Sequence, residues 1–157
     1  MDAEATQQLR LKYRDSKSQL GLAFDREEYE RWIKQAKDTL ESAEEDMGNR
    51  RFNWSCFKAQ QAAEYAVKGL LYGLGSIPAG HSILGLLGRL KRRGVDVGDC
   101  LKHARLLDRH YIPTRYPNAH PEGAPYEYYD EEAAKEALRS AREILKLVEE
   151  EARKCLK

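Results

Sequence analysis

FNWSCFKAQQAAEYAVKGLLYGLG, residues 52–75, is the stretch that decides the fold. It is long enough for about six turns of α-helix, and most of its positions are apolar or small. A helix that is apolar over most of its circumference has to be covered on several sides. Small side chains within the stretch let neighbouring helices approach closely at Ala59, Ala62, Ala63 and Ala66. We therefore predict that this segment is the central helix of a bundle.

A helix is predicted immediately before the central one. Asp25, followed three residues later by Glu28, is typical of a helix N-terminus. Apolar residues then recur at helical spacing over residues 29–47. Gly48 and Asn49 predict the end of this helix in a left-handed conformation. Because the link to the central helix is so short, the two helices are expected to form an antiparallel hairpin.

Three more helices are predicted after the central one. The third covers residues 82–92 and ends at Gly94, and the fourth begins after Asp96 and keeps its period to Tyr111. Asp130 begins the last helix, which runs to about the end of the sequence. No segment has the pattern of a β-strand. The predicted fold is all-α, an antiparallel up-and-down bundle of about five helices.

The composition of the 157 residues limits the class of protein. A formal net charge of +1 gives no global field that demands nucleic acid or a membrane. No run of 18 apolar residues and no signal peptide is present, so we expect a cytoplasmic protein without membrane contact. The three cysteines are scattered, which favours neither disulfides nor a metal site, and no cofactor is expected. Residues 1–23 are interpreted as an N-terminal arm and residues 24–157 as one domain.

The segment of residues 112–129 is the candidate functional loop. Four prolines rule out a regular helix there: Pro113, Pro117, Pro121 and Pro125. Loops of this length are usually functional or disordered. Its aromatic residues argue against disorder, because such side chains gain most by packing: Tyr116, Tyr126, Tyr128 and Tyr129.

Three motifs together resemble the HEPN domain family. They are NWSCFKAQQAAEYAVKGLLYGLG, GHSILGLL and YIPTRYPNAHPEGAPYEYYDEEAAKEAL, and the likeness covers residues 28–148. The resemblance implies a helical bundle that forms a homodimer. It also implies a partner, a minimal nucleotidyltransferase, in a toxin–antitoxin pair. Many members of this family are metal-independent ribonucleases that use an Arg-x(4–6)-His motif.

Arg115 and His120, in RYPNAH, match the spacing of that motif and are the candidate catalytic residues. Cleavage of RNA without a metal needs a base for the 2′-hydroxyl proton, which a histidine supplies, and a cation against the phosphate, which an arginine supplies. The sequence also departs from the motif, because Tyr116 replaces the usual polar residue and prolines hold the segment in a loop. The alternative is an arginine that anchors the loop, beside an exposed histidine.

The other histidines have simpler interpretations. His81 follows Gly80 at a helix start and is expected to cap or pack there. A second match to the motif, Arg105 and His110, lies in the predicted fourth helix, where residues five apart point about 140° away from each other. His103 and His110 lack a carboxylate or thiol at matching spacing, so no metal is expected.

Residues 89–115 are the basic part of the chain, with eight basic and three acidic residues. Basic helices beside an aromatic loop are typical of surfaces that meet RNA phosphates and stack bases. The alternative is a solvated face with tyrosines that pack the loop. The predicted nucleotide- or RNA-binding residues are Arg92, Arg105, Arg109, Arg115, Tyr116, Tyr126 and Tyr128.

Three functions remain open from the sequence. The first is a dimeric component that binds a nucleotide or RNA without cutting it and acts with a minimal nucleotidyltransferase. The second is a ribonuclease toxin that uses Arg115 and His120. The third is a non-catalytic helical interaction module. The dimer contact is predicted on the small-residue face of the central helix, formed by Cys56, Ala59, Ala63, Ala66 and Val67.

Overall fold

The structure is a computed structural model that describes residues 2–5, 7, 8 and 23–157. The predicted arm, residues 1–23, lies largely outside the described residues. Residues 23–157 form five α-helices and no β-strand. The helices are α1 (Arg26–Gly48), α2 (Phe52–Gly73), α3 (Ile83–Arg92), α4 (Cys100–Asp108) and α5 (Glu131–Cys155). The predicted all-α bundle is confirmed.

Side-chain caps begin three of the helices where the sequence predicted them. Asp25 Oδ1 accepts from the Glu28 amide at 3.1 Å, Ser82 Oγ from Gly85 at 3.0 Å, and Asp130 Oδ1 from Ala133 at 2.9 Å. Each bond satisfies an amide that the first turn leaves without a helical partner. Local chemistry was therefore enough to place the starts of α1, α3 and α5.

Two predicted boundary details are wrong. Asp96 does not begin α4, because its carboxylate accepts from the Gly98 amide at 2.9 Å and makes a turn, and α4 starts at Cys100. The left-handed residue after α1 is Arg50, with φ 60°, rather than Gly48 or Asn49. Arg50 therefore lies in the tight turn that connects α1 to α2.

α1 and α2 form the predicted antiparallel hairpin. The Asp25 amide donates to the Gly73 carbonyl at 2.8 Å, and Ser55 Oγ donates to the Ala43 carbonyl at 2.8 Å. The start of each helix therefore lies beside the end of the other. α5 then packs against both helices, with ion pairs to α1 from Glu149 to Lys37 (3.3 Å) and from Arg142 to Glu44 (2.7 Å).

α2 is the central helix, as predicted, but its small-residue face is not a dimer surface. Cys56, Ala59, Ala63, Ala66 and Val67 are all fully buried within a single chain. The other helices of the same chain cover these side chains, so a second subunit cannot contact them. The predicted placement of the dimer contact on this face is therefore wrong.

Candidate functional site

The proline-rich segment is folded against the start of α2. Pro117–Ala119 and Pro125–Tyr128 form two short 3-10 turns. Asn53, a buried residue of α2, donates from Nδ2 to the Thr114 carbonyl at 3.1 Å. Thr114 is itself fully buried, and its Oγ1 donates to the His110 carbonyl at 2.5 Å. These bonds place the residues that follow Thr114 beside α2.

Arg115 lies in an aromatic cage. Its Cζ atom lies 4.2 Å from the ring centre of Phe57, 4.6 Å from that of Tyr111 and 5.0 Å from that of Tyr116. Nε and Nη2 both donate to the Tyr111 carbonyl, at 2.9 and 2.6 Å. A guanidinium has five N–H groups. The cage therefore fixes the cation while leaving N–H groups that can bind a ligand.

A cleft of about 290 Å³ opens beside Arg115, and we name it the arginine cleft. Its main residues are Arg50, Arg51, Trp54, Arg115 and Tyr126. Trp54 is 45% exposed and Tyr126 is 69% exposed. None of the described residues that line the cleft is acidic. Three positive charges with no opposing carboxylate, next to two exposed rings, can hold an anionic aromatic ligand.

Arg50, Arg51 and Trp54 were not among the site residues predicted from the sequence. Residues 49–51 were expected only to link two helices, although the Arg51 amide donates to the Asp46 carbonyl at 2.8 Å and holds the turn. One signal was present in the sequence: an arginine pair followed, after two intervening residues, by a tryptophan at the start of an otherwise small-residue helix. That signal does not reveal that residues 114–126 pack against the same turn.

His120 occupies a different environment from Arg115. Its Nε2 atom lies 2.6 Å from the Pro113 carbonyl, and its ring stacks on Tyr128 with centres 4.2 Å apart. Because a carbonyl only accepts, Nε2 carries the hydrogen in this bond. Arg115 and His120 are therefore bonded to different carbonyls and stacked on different rings. Their role as a catalytic pair stays a prediction.

The other predicted binding residues are distributed over two regions. Tyr126 lines the arginine cleft, and the exposed ring of Tyr116 covers Arg115. Arg92, Arg105 and Arg109 are exposed on α3 and at α4, and the cleft is formed without them. The basic residues of α3 and α4 thus do not line the cleft.

His110 lies just beyond the end of α4, outside the helix in which the sequence placed it, and is partly buried. Its ring contacts Tyr129 edge to face, with centres 5.5 Å apart. Burial, with a smaller contribution from Arg109, lowers the pKa of His110 to about 4. His110 is therefore neutral at physiological pH, and the Arg105–His110 match offers no charged pair.

A second polar group lies further along α2, and we name it the Glu64 network. Glu64 is only 1% exposed, and its carboxylate accepts from Lys68 Nζ at 2.7 Å. Gln61 Nε2 donates to the same carboxylate at 3.1 Å, and His81 Nδ1 lies 2.9 Å from it. The spacing of Glu64 and Lys68, four residues apart on one helix, is visible in the sequence. His81 joins the network, and Glu64 is buried, because residues 74–82 fold back against α2.

Two classes of structure are not found in the part of the chain that the structure describes. No described helix is long and apolar enough to cross a membrane. Nor do three His, Cys, Asp or Glu side chains group together as metal ligands among the residues described.

Comparison with known proteins identifies the family. The family model of the HEPN domain matches residues 29–151. A protein from Thermus thermophilus is 46% identical, with a TM-score of 0.76 over 78% of this chain and 96% of that one. An archaeal HEPN homologue is 42% identical, with a TM-score of 0.66 over 78% and 96% of the two chains.

A HEPN domain protein from Thermotoga maritima is also similar. It is 32% identical, with a TM-score of 0.63 over 76% of this chain and 95% of that one. No curated protein matches the chain. A family model that spans most of the chain and solved relatives of this identity lead to one conclusion. The chain belongs to the HEPN domain family.

Proposed function

We propose that this HEPN protein binds a nucleotide or RNA in the arginine cleft. The observation that carries the proposal is the arrangement of Arg50, Arg51 and Arg115 around a cleft that also holds the exposed rings of Trp54 and Tyr126. Arginine binds phosphate oxygens through paired N–H groups, and exposed aromatic rings stack on bases. A nucleotide or an RNA strand offers both kinds of group.

The state of Arg115 and His120 favours binding over cleavage. Both side chains are held by backbone carbonyls, and Nε2 of His120 is a donor in its bond to Pro113. In a neutral ring whose Nε2 donates, Nδ1 is the nitrogen left to take the proton of a 2′-hydroxyl. Cleavage by this pair would therefore have to use Nδ1 of His120 while Arg115, which is bonded to a different carbonyl, reaches the same phosphate.

The family membership supports two partners. The first is a minimal nucleotidyltransferase in a toxin–antitoxin pair, which co-purification from the native host would test. The second is another copy of the chain. The side of α2 that the other helices leave uncovered carries Trp54, Phe57 and Tyr65, of which Trp54 is the most exposed. This aromatic side, rather than the small-residue face, is where we place the homodimer contact.

Calorimetric titration with ATP and with a short single-stranded RNA tests the binding site. Arg115→Ala removes the caged cation, and we expect affinity to fall at least about tenfold, because hydrogen bonds from a charged group contribute roughly 1.5–3 kcal/mol. Arg139→Ala is the matched control, since Arg139 is an exposed arginine of α5 outside the cleft. We expect it to bind like the parent protein.

The same samples, incubated with RNA in EDTA, separate binding from cleavage. Intact RNA together with binding that depends on Arg115 supports the proposal. Degradation that stops in both Arg115→Ala and His120→Ala favours the ribonuclease instead. No binding of either probe by the parent protein contradicts the proposed function.

A further inference from the structure

His81 is the exposed end of the Glu64 network. The side chain of Glu64 is 2% exposed, whereas that of His81 is 57% exposed. Gln60 Nε2 also approaches the buried carboxylate, at 3.4 Å, and donates to the His81 carbonyl at 3.0 Å. A carboxylate removed from water in this way needs such donors. The network therefore fixes both the backbone and the ring of His81.

The carboxylate determines which nitrogen of His81 carries the hydrogen. Lys68 and Gln61 also donate to it, so both oxygens of Glu64 act as acceptors. Nδ1 of His81, at 2.9 Å, is accordingly the donor. In a neutral imidazole the other nitrogen, Nε2, is then an acceptor. His81 thus presents a hydrogen-bond acceptor on a largely exposed side chain.

His81 and Arg115 both contact the ring of Tyr111. The rings of His81 and Tyr111 stack, with centres 5.0 Å apart and planes 18° apart. The Cζ atom of Arg115 lies 4.6 Å from the centre of the same Tyr111 ring. Each group thus lies one ring contact away from Tyr111, so their separation is one that a nucleotide can span.

We propose that Nε2 of His81 accepts a hydrogen bond from a ribose hydroxyl of the ligand whose phosphate Arg115 binds. A phosphate oxygen has no hydrogen for this acceptor, whereas the sugar that adjoins the phosphate has hydroxyl groups. The site would then prefer ribonucleotides over deoxyribonucleotides, because the 2′-hydroxyl distinguishes the two. This inference rests on the proposed function and adds the sugar specificity of the same site.

Fluorescence anisotropy with labelled oligouridylate and oligodeoxyuridylate of equal length tests the inference. The parent protein should bind the ribo strand roughly three- to tenfold tighter, which is the effect of one neutral hydrogen bond. His81→Phe keeps a ring against Tyr111 but has no acceptor. In this variant we expect affinity for the ribo strand to fall to that for the deoxy strand, which should not change.

Arg115→Ala is the matched comparison, because it should weaken the binding of both strands and leave the ratio of their affinities unchanged. A 2′-O-methyl oligouridylate gives a test without any variant, since it keeps the sugar but lacks the donor hydrogen, and it should bind the parent protein like the deoxy strand. Equal affinity of the parent protein for ribo and deoxy strands overturns the role of His81, as does a preference that survives in His81→Phe. Failure of both strands to bind overturns the proposed function itself.

Discussion

His110 shows how the fold changes the chemistry of one side chain. Its Nδ1 atom is buried and makes no hydrogen bond with the described residues, and burial is the main cause of its lowered pKa. A charged imidazole at this position would lose its hydration without gaining a partner, and Arg109 is the adjacent charge that also disfavours it. His110 therefore contributes to the packing around Tyr129 only as long as it stays neutral.

Acid should destabilise the protein through His110. The pKa of this residue falls from 6.5 to about 4 on folding, so between those values the unfolded chain binds a proton that the folded chain does not. The stability that the protein has with neutral His110 is fully present above pH 6.5. As the pH falls through that window, the free energy of unfolding should decrease by up to about 3 kcal/mol. Urea unfolding at neutral pH and near pH 4 measures this loss.

His110→Phe removes the titration while keeping an aromatic ring. We expect the free energy of unfolding of this variant to depend less on pH over the same window. Carboxylates titrate near the lower limit in both proteins, so the informative quantity is the difference between the two pH profiles. Identical profiles would rule out His110 as the cause.

At the scale of elements, Gly69 decides how closely α1 and α2 approach. A Cβ atom added at this position would lie 2.8 Å from the Cβ atom of Trp32, which is closer than real side chains come. The ring of Trp32 in turn stacks on Tyr72, with centres 5.1 Å apart. The close packing of α1 on α2 therefore requires glycine at position 69, in addition to the alanines of α2.

Gly69→Ala should lower the free energy of unfolding by about 1–3 kcal/mol, because one helix must move away from the other. Gly48→Ala is the matched control. A Cβ atom at Gly48 would meet nothing within 4 Å, and alanine favours a helix by up to about 1 kcal/mol over glycine. Denaturant unfolding followed by circular dichroism should therefore separate the two variants. Equal effects would mean that the contact with Trp32 does not limit the hairpin.

Element starts could be predicted from the sequence because caps act over three residues. Asp25, Ser82 and Asp130 each bond the amide three positions later. Asp96 has the same residue type, but its bond to Gly98 makes a turn, and spacing alone does not separate the two outcomes. The arginine cleft was not predictable in this way, since Asn53 and Thr114 are 61 positions apart.

On the scale of the whole molecule, the two sides of α2 have different roles. Ala63 is fully buried, whereas Tyr65 is partly exposed and packs on Trp32 with ring centres 5.9 Å apart. The sequence correctly predicted that this helix is covered on several sides. It could not show which side of α2 the chain covers by itself, because α5, which packs against α2, is distant in the sequence.

Tyr65→Asp and Ala63→Arg distinguish the proposed dimer contact from the core. A charge on the aromatic side should convert a dimer to a folded monomer, which light scattering and circular dichroism measure together. The arginine should instead unfold the protein, since a buried charge without a partner costs several kcal/mol. A folded Tyr65→Asp protein that stays dimeric would contradict the placement of the contact.

The central claim is that a nucleotide or RNA binds in the arginine cleft, and locating the bound ligand tests it most directly. Trp32→Phe leaves Trp54, in the arginine cleft, as the single tryptophan. Titration of this variant with single-stranded RNA should quench its fluorescence saturably, because a base stacks on Trp54, and Arg115→Ala in the same background should weaken the quenching at least about tenfold. Binding that is measured by calorimetry but leaves Trp54 fluorescence unchanged would place the ligand elsewhere and contradict the claim.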